Sequence, residues 1–510
     1  MPKTWSKYQL GVFEFVERGD GNGLVEAKPG SGKTTVIEEA ITRVPPTESV
    51  LALAFNRHIR DELKRRMEHL PNVTVHTLNS FGNSACRGHL GWYKVNEHKL
   101  RNILKFDVFG LTRGGYSKEK FATFCKVQHS ILRLLALAKA QMVWTVDELI
   151  SGWEKIADEF DVEIPQIPYT EFEGYLTETF QYDLKKTKVI DYDDQIAIPV
   201  RLKLPIPTYD RIFVDESQDL TPCQIELTSR AIAAEGRALY VGDRRQAIYQ
   251  FRGADSRAMD NIEQMMDCER LPLSICYRCS KAVVREAQKI EPTIEYHEDA
   301  PEGEIKHVSE AEFKKIVKPG DAVLCRTTAP LVKMCLYFIR MGIPALVKGR
   351  EIGKNMQELC LNVASGNKHM DVVEFRELLR EYHMRESEKL RKNDKEEKRI
   401  LLEDKIDTVC AVAEECDTVG EIVDKFQAIF AASEQDDCIN CMTIHKAKGL
   451  EAHAVHILRP DQLPHKLAKS PEALLAEENL KFVAITRAIH TLVWVAPDLG
   501  DTFDDGHNLC

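Results

Sequence analysis

The sequence predicts an α/β protein of two parallel-sheet domains, each interrupted by a mainly helical insertion. Three observations predict it. Short apolar runs alternate with amphipathic stretches at the start of the chain. The rhythm stops over 86–187 and then resumes. A second series begins near 321 and is itself interrupted over 356–432. Neighbouring parallel strands need a crossover, usually a helix, so strand–helix alternation builds a parallel sheet covered on both faces.

In chain order, GLVEAK (23–28) precedes a helix from Thr34, VLALAF (50–55) precedes NRHIRDELKRRM, and VTVHT (73–77) precedes another helical run. RIFVDES (211–217) and RALYVGD (237–243) complete the first series. DAVLCR (321–326), PALVKG (344–349), AHAVHIL (452–458) and HTLVWVAP (490–497) form the second. The centre of the second interruption, KLRKNDKEEKRILLEDK, mixes charges and predicts a solvated helix or hairpin. The expected domains are 1–85 with 188–265, carrying the insertion 86–187, and 266–355 with 433–500, carrying a reduced insertion 356–432. The acidic, glycine-punctuated stretch 501–510 reads as a flexible tail.

Composition narrows the class. With 510 residues there is room for three or four domains of about 100–200 residues. A chain 44% hydrophobic and 29% charged suits large soluble cores. A net charge of −11 and a pI near 5.9 argue against a nucleic-acid binder that is basic all over, but leave room for a local basic track. The run ILRLLALAKAQMVW is broken by Arg133 and Lys139 and is too short for a bilayer. MPKTWSKYQL has no apolar signal core, so the expectation is a cytoplasmic protein, of a bacterium or a virus-infected host cell, with no membrane partner. The 14 cysteines then read as reduced thiols. Cys276/Cys279 and Cys438/Cys441 are C-x-x-C pairs, but CINCMTI reads as a strand, where residues three apart face opposite ways, so a shared metal is disfavoured.

AKPGSGKTT (27–35) lies between a strand and a helix. It fits a phosphate-binding loop, except that Ala27 stands where the strict pattern has its first Gly. Gly30, Ser31 and Gly32 would turn backbone amides toward phosphates. Lys33 would reach the β- and γ-phosphates of ATP, Thr34 would hold Mg²⁺, and Thr35 follows in the same helical turn. IFVDESQD (212–219) is the second half of such a site: a buried strand brings Asp215 and Glu216 to its C-terminal tip. Asp215 would bind Mg²⁺, and Glu216 would orient or deprotonate the attacking water. Asp219 and Thr221 also read as caps of the next helix, as do Asp191, Asp193 and Asp194 in VIDYDDQIAIP, which could otherwise suggest a metal site.

The ordered motifs resemble the UvrD/Rep/PcrA-like branch of superfamily 1 DNA helicases, especially its short viral and bacterial members and the helicase part of F-box DNA helicases. WSKYQL resembles the adenine-reading motif, with Gln9 as its glutamine. LAFNRHIRDEL resembles the segment that lays an aromatic on single-stranded DNA, here Phe55 followed by Asn56, and TVHTLNSFG the next DNA contact, around Thr74 and His76. VDESQD, VGDRRQAIYQFRGAD, YRCSKAVV, MTIHKAKGLE and VAITRA resemble the later motifs in order. The resemblance implies two RecA-like domains with ATP between them. It implies that Gln246 senses the γ-phosphate, Tyr277 stacks on the base, Glu451 meets the ribose, and Arg278 and Arg487 touch the phosphates. Tyr249, Phe251, Arg252, Thr443 and His445 would meet DNA. Phe251 replaces the family's usual Trp, and Cys276 and Cys279 replace Asn and Ser. Base–aromatic stacking is worth about 1–3 kcal/mol whatever the base, which suits a motor on arbitrary sequence.

The resemblance implies an ATP-dependent DNA helicase moving 3′→5′ on single-stranded DNA, with single strands, single/double-strand junctions and replication or repair proteins as the expected partners and a monomer as the expected state. A translocase that strips proteins without unwinding, and an ATP-gated clamp, are the competing readings.

Overall fold

The computed structural model describes residues 4–54, 56–112, 117–160, 162, 164–248, 258–392, 396–430, 438–466, 468 and 471–498. The chain divides into two compact units, Met1–Ser274 and Ile275–Cys510.

The first unit holds strands β1 (Asn22–Ala27), β2 (Val50–Ala54), β3 (Val73–Thr77), β4 (Lys94–Val95), β5 (Val189–Ile190), β6 (Tyr209–Val214), β7 (Ile232–Gly242) and β8 (Cys268–Leu273). Its helices are α1 (Lys7–Arg18), α2 (Lys33–Thr42), α3 (Arg57–Arg66), α4 (Leu78–His89), α5 (Lys99–Asn102), α6 (Lys118–Ala140), α7 (Val146–Glu159), α8 (Tyr169–Lys185), α9 (Asp194–Arg201), α10 (Pro222–Ser229) and α11 (Ala258–Met266). Six strands form one sheet in the order β3-β2-β6-β7-β1-β8, every pair parallel. Successive residues serve opposite faces. Val25, Val50, Ala52, Phe213, Leu239 and Val241 pack with Val12, Phe13, Val36 and Ile37 of α1 and α2. Their neighbours Leu24, Leu51, Leu53, Ile212, Val214 and Tyr240 pack with Phe81, Ile196, Leu227 and Ile262 on the other side. Two buried faces explain why these strands read as continuous apolar runs.

The boundary expected at 265/266 is corrected: β8 pairs in register with β1, so residues 268–273 are the edge of the first sheet. CERLPL carries charges and a proline, which an edge strand tolerates and a buried one does not, and so it lacks the apolar signature.

The insertion 86–187 has its own core, in which Leu134, Leu137, Trp153, Phe172 and Phe180 are buried together. Its join to the sheet domain is ionic. Lys99 Nζ lies 2.7 Å from Asp183 and 2.6 Å from Asp194. Lys139 Nζ lies 3.2, 3.1 and 2.7 Å from Asp183, Asp191 and Asp194. All five side chains are buried. The aspartates are the one group among the described residues with metal-ligand spacing, and the two ammonium groups already supply the positive charge. The capping expectation holds in part: Asp191 accepts from the Asp194 N–H at 2.8 Å, while Asp193, at the N-cap position, makes no side-chain cap bond. Burial works against the Lys139 charge, yet the surrounding aspartates hold its pKa well above the usual lysine value. Lys139→Met removes one cation from a buried cluster and leaves its carboxylates short of charge. It is expected to destabilise the protein by about 3–5 kcal/mol in denaturant unfolding.

The second unit holds β9 (Ile275–Cys276), β10 (Glu295–Tyr296), β11 (Glu304–Ser309), β12 (Ala322–Cys325), β13 (Ala345–Val347), β14 (Ile439–Thr443), β15 (Ala452–Leu458) and β16 (Ala488–Ala496). Its helices are α12 (Lys281–Ala287), α13 (Glu310–Ile316), α14 (Ala329–Arg340), α15 (Arg350–Val363), α16 (Val372–Lys392), α17 (Glu396–Ala413), α18 (Val419–Ile429) and α19 (Pro471–Ile485). Its six-stranded sheet runs β11-β16-β15-β12-β14-β13, again parallel throughout. The charged stretch 356–432 is less solvated than its composition suggests. Cys360, Phe375, Ile406, Val409, Ile422 and Phe426 share one buried core with Val323, Val347, Ile439 and Cys441 of the sheet. Asp404, inside the expected solvated segment, accepts from the N–H groups of Thr328 and Ala329 at 3.1 and 2.8 Å and so caps α14.

Candidate active site and nucleic-acid edge

Because the first sheet is parallel, the strand tips share one edge, and β6, β7 and β1 are consecutive there. Three loops with chemical side chains therefore meet: 28–33 after β1, Asp215-Glu216 after β6, and Asp243 after β7.

Gly30 and Gly32 have φ of +69° and +83°, a conformation that side chains disfavour and that turns successive N–H groups to one side. Helix α2 starts at Lys33, so its positive end faces the loop. Ser31 is fully buried, and its Oγ has no hydrogen-bond partner among the described residues. A buried hydroxyl in that state points to a ligand. Thr34 and Thr35 are partly exposed in the first turn of α2. Gln9 Nε2 would stand 3.7 Å from a Cβ placed on Gly32, so the glutamine expected to read adenine borders the loop. Its Oε1 accepts from the Ser6 N–H at 3.0 Å in the capping box of α1, which fixes the side chain.

Lys33 Nζ lies 3.4 Å from Glu216 Oε1. Burial opposes its charge, but Glu216, Asp243 and Asp215 together raise its pKa above the ordinary lysine value. Asp215 is the converse case. Burial, and then the Glu216 charge, push it up to about 7 despite Lys33. A divalent cation would favour the ionised form of such a carboxyl, so Asp215 fits Mg²⁺ with Thr34 close in sequence to Lys33. Glu216 has φ +53°, the left-handed region that costs a side chain of this type energy and that gathers at functional sites.

Two residues missed in the sequence reading complete the site. Gln218 donates to Glu216 Oε2. Its Oε1 accepts from the Asp243 N–H at 3.0 Å. Asp243 Oδ2 in turn accepts from Gln246 Nε2 at 2.9 Å. A continuous polar chain therefore runs from Lys33 through Glu216, Gln218 and Asp243 to Gln246, the predicted γ-phosphate sensor. Gly242 makes room for it: a Cβ there would come within 2.6 Å of Gln218 Oε1 and 2.7 Å of Met259 Sδ. Only the Q of the motif VDESQD and the D just after β7 signalled these links, and neither shows its partner. Gln218→Leu leaves the buried Asp243 N–H without an acceptor. The expected loss is about 1–3 kcal/mol of unfolding free energy, read by denaturant titration.

The expected DNA contacts fall into three groups. Phe55, Tyr249, Phe251 and Arg252 lie outside the described residues. Asn56 is exposed, but its Oδ1 accepts from the Ile59 N–H at 2.9 Å, so it caps α3. Thr74 and His76 share one face of the edge strand β3, opposite the core-facing Val73 and Val75. His76 Nδ1 is 3.1 Å from Ser80 Oγ, and burial with Arg60 and Lys64 nearby lowers its pKa.

In the second unit, Thr443 ends β14 and His445 lies in the 3₁₀ turn after it. Burial, then the charge of Arg326, holds His445 down to about 4, so it is neutral at pH 7. Arg278 Nε lies 2.5 Å from Glu451 Oε2, so the residues expected at the γ-phosphate and at the ribose pair with each other. Tyr277 is exposed on one side, its ring 5.0 Å from that of His297. Arg487 is buried and donates to the carbonyls of Val483 and Leu450 and to Thr486 Oγ1 at 3.0, 3.1 and 3.2 Å.

Residues 12–267 match the UvrD/REP helicase N-terminal domain family, and residues 346–496 match the UvrD-like helicase C-terminal domain family. Among curated proteins, the chain is similar to the ATP-dependent DNA helicase PcrA of Bacillus subtilis, 25% identical over 296 residues, which are 54% of this chain and 38% of that protein. It is 24% identical over 288 residues to the putative ATP-dependent DNA helicase YjcD of the same species, covering 53% of this chain and 36% of the relative. It is also 24% identical over 312 residues to the probable DNA helicase II homolog of Mycoplasma pneumoniae, covering 56% and 42%. The chain thus matches less than half the length of each of these relatives.

Proposed function

The chain belongs to the UvrD/REP helicase family, and we propose that it is an ATP-driven motor that moves 3′→5′ along single-stranded DNA and separates duplex strands. The observation that carries this reading is the polar chain from Lys33 to Gln246. It joins the phosphate loop to Gln246, five residues before Phe251, the proposed base-stacking residue, in sequence.

In this reading the 30–35 loop holds ATP, Thr34 and Asp215 hold Mg²⁺, and Gln9 reads the adenine. Bound Mg²⁺ supplies Lewis-acid stabilisation of phosphate charge. Glu216 orients the attacking water. Lys33, Arg278 and Arg487 supply positive charge for the transferred phosphoryl, and Tyr277 and Glu451 hold the base and ribose. Thr74, His76, Thr443 and His445 contact the strand through neutral groups. That leaves the salt dependence of binding to basic residues such as the exposed Arg57 and Lys446 and the partly buried Lys448.

The test is strand separation on duplexes with a 3′ tail, a 5′ tail or blunt ends, with Lys33→Ala as control. Unwinding of the 3′-tailed duplex alone, lost in the variant, is the expected result. Preference for the 5′ tail reverses the polarity. DNA-stimulated hydrolysis without unwinding points instead to a motor that displaces proteins.

A further inference from the structure

The segment Cys276-Tyr277-Arg278-Cys279 brackets two proposed nucleotide contacts with thiols. The thiols are neighbours: the Cys279 N–H lies 3.4 Å from Cys276 Sγ. Both are buried. Tyr277, between them in sequence, is 40% exposed, so the pair lies just beneath an open surface. Cys279 Sγ also faces the Thr486 carbonyl at 3.8 Å, and Thr486 directly precedes Arg487. The pair therefore adjoins both proposed phosphate-contacting arginines. The same segment is tied to β16 by the Ser280 N–H, which donates to the Ile489 carbonyl at 2.7 Å.

We propose that Cys276 and Cys279 are a hydroperoxide-sensitive dithiol whose closure to a disulfide disengages the Arg278 and Arg487 segments. The functional half rests on the ATPase reading above; the chemical half does not. In the first step the Cys276 thiolate attacks the O–O bond of hydrogen peroxide, giving a sulfenic acid and, with one proton, water. In the second, the Cys279 sulfur attacks the sulfenic sulfur, loses its proton and expels a second water. Two thiols are oxidised by two electrons, and one peroxide is reduced. The thiols are suited to these roles. The neighbouring Cys279 thiol, with help from backbone N–H groups and Arg278, draws the Cys276 pKa below the ordinary thiol value against its burial, which favours the attacking form. A disulfide needs its sulfurs at about 2.05 Å, well inside hydrogen-bond range. Closure draws Cys279 Sγ to Cys276 and takes its thiol donor from the Thr486 carbonyl.

The full chain, reduced and then treated with hydrogen peroxide, is mapped by mass spectrometry after thiol alkylation. The expected product is an intramolecular Cys276–Cys279 disulfide. ATP hydrolysis should fall about a hundredfold, the scale of misplacing a catalytic group by about 1 Å, and return with dithiothreitol. Amide exchange should speed up at Ser280 and through 486–490. Cys279→Ser should instead stop at a Cys276 sulfenic acid that a 1,3-diketone traps, and Cys276→Ser should give neither product. Failure of this pair to oxidise while other thiols do overturns the proposal, as does a disulfide that changes neither exchange nor turnover. A reduced protein without ATPase activity counts against the functional reading alone, because the disulfide map and the exchange rates are read without turnover.

Discussion

Lys33→Ala is expected to abolish ATP-driven strand separation and to lower DNA-stimulated ATP hydrolysis by about 10²–10³-fold, the scale of losing one preorganised electrostatic donor. The geometry adds a second, ligand-free effect. Lys33 faces Asp215, Glu216 and Asp243, and it already fails to bring Asp215 below about 7. Without it, Asp215 and Asp243 keep their protons to higher pH. A carboxyl whose folded pKa exceeds its unfolded value stabilises the folded state at low pH and loses that contribution as pH rises through the folded pKa. The variant should therefore be near wild-type stability on the acid side of neutrality and should fall behind on the alkaline side, as read by denaturant titration on both sides of neutral pH. Added Mg²⁺ should recover part of the alkaline loss by supplying the missing positive charge. Equal stability of both proteins across the range would mean that Lys33 is not the counter-charge of this cluster.

The glycine turn before α2 was legible because it is local: Gly30 and Gly32 lie within one turn of Lys33 and Thr34, and the strand and helix around them are strongly patterned. Strands β6 and β7 were legible for the same reason, but the place of Asp243 in the site was not. Links between loops were not. Gln218 meets Asp243 only because β6 and β7 are neighbours in the sheet, and no local pattern gives strand order. The pairing of Arg278 with Glu451 was hidden likewise, since it depends on how loops far apart in sequence fold together. In 356–432 the error was one of averaging. The charges are numerous, but the apolar residues recur on one helical side and fill the core beneath β12–β14. Strand β8 escaped because its position at an edge lets it carry charge and proline.

The pairing of Arg278 with Glu451 makes Arg278→Ala the sharpest test of phosphate contact in the second unit. Turnover should fall by about 10³–10⁵-fold, the range for loss of such an arginine in related phosphoryl-transfer enzymes, with little change in ATP affinity, because the charge it would stabilise develops in the transition state. The loss cannot be blamed on unfolding. Both partners are partly exposed, and an ion pair in that setting adds at most about 1 kcal/mol. Arg487→Ala is less clean, because its guanidinium is buried and holds the Val483 and Leu450 carbonyls, so stability and turnover would fall together. Arg278→Lys separates charge from shape: a compact ammonium lacks the planar fork that binds two oxygens at once, and it should recover only a small part of the rate. Glu451→Gln releases Arg278 and, if Glu451 meets the ribose, raises the KM for ATP while sparing kcat. Single-turnover hydrolysis with thermal unfolding of the same samples distinguishes these cases. Unchanged turnover in Arg278→Ala would leave the residue as a partner of Glu451 and assign the phosphate charge to Arg487.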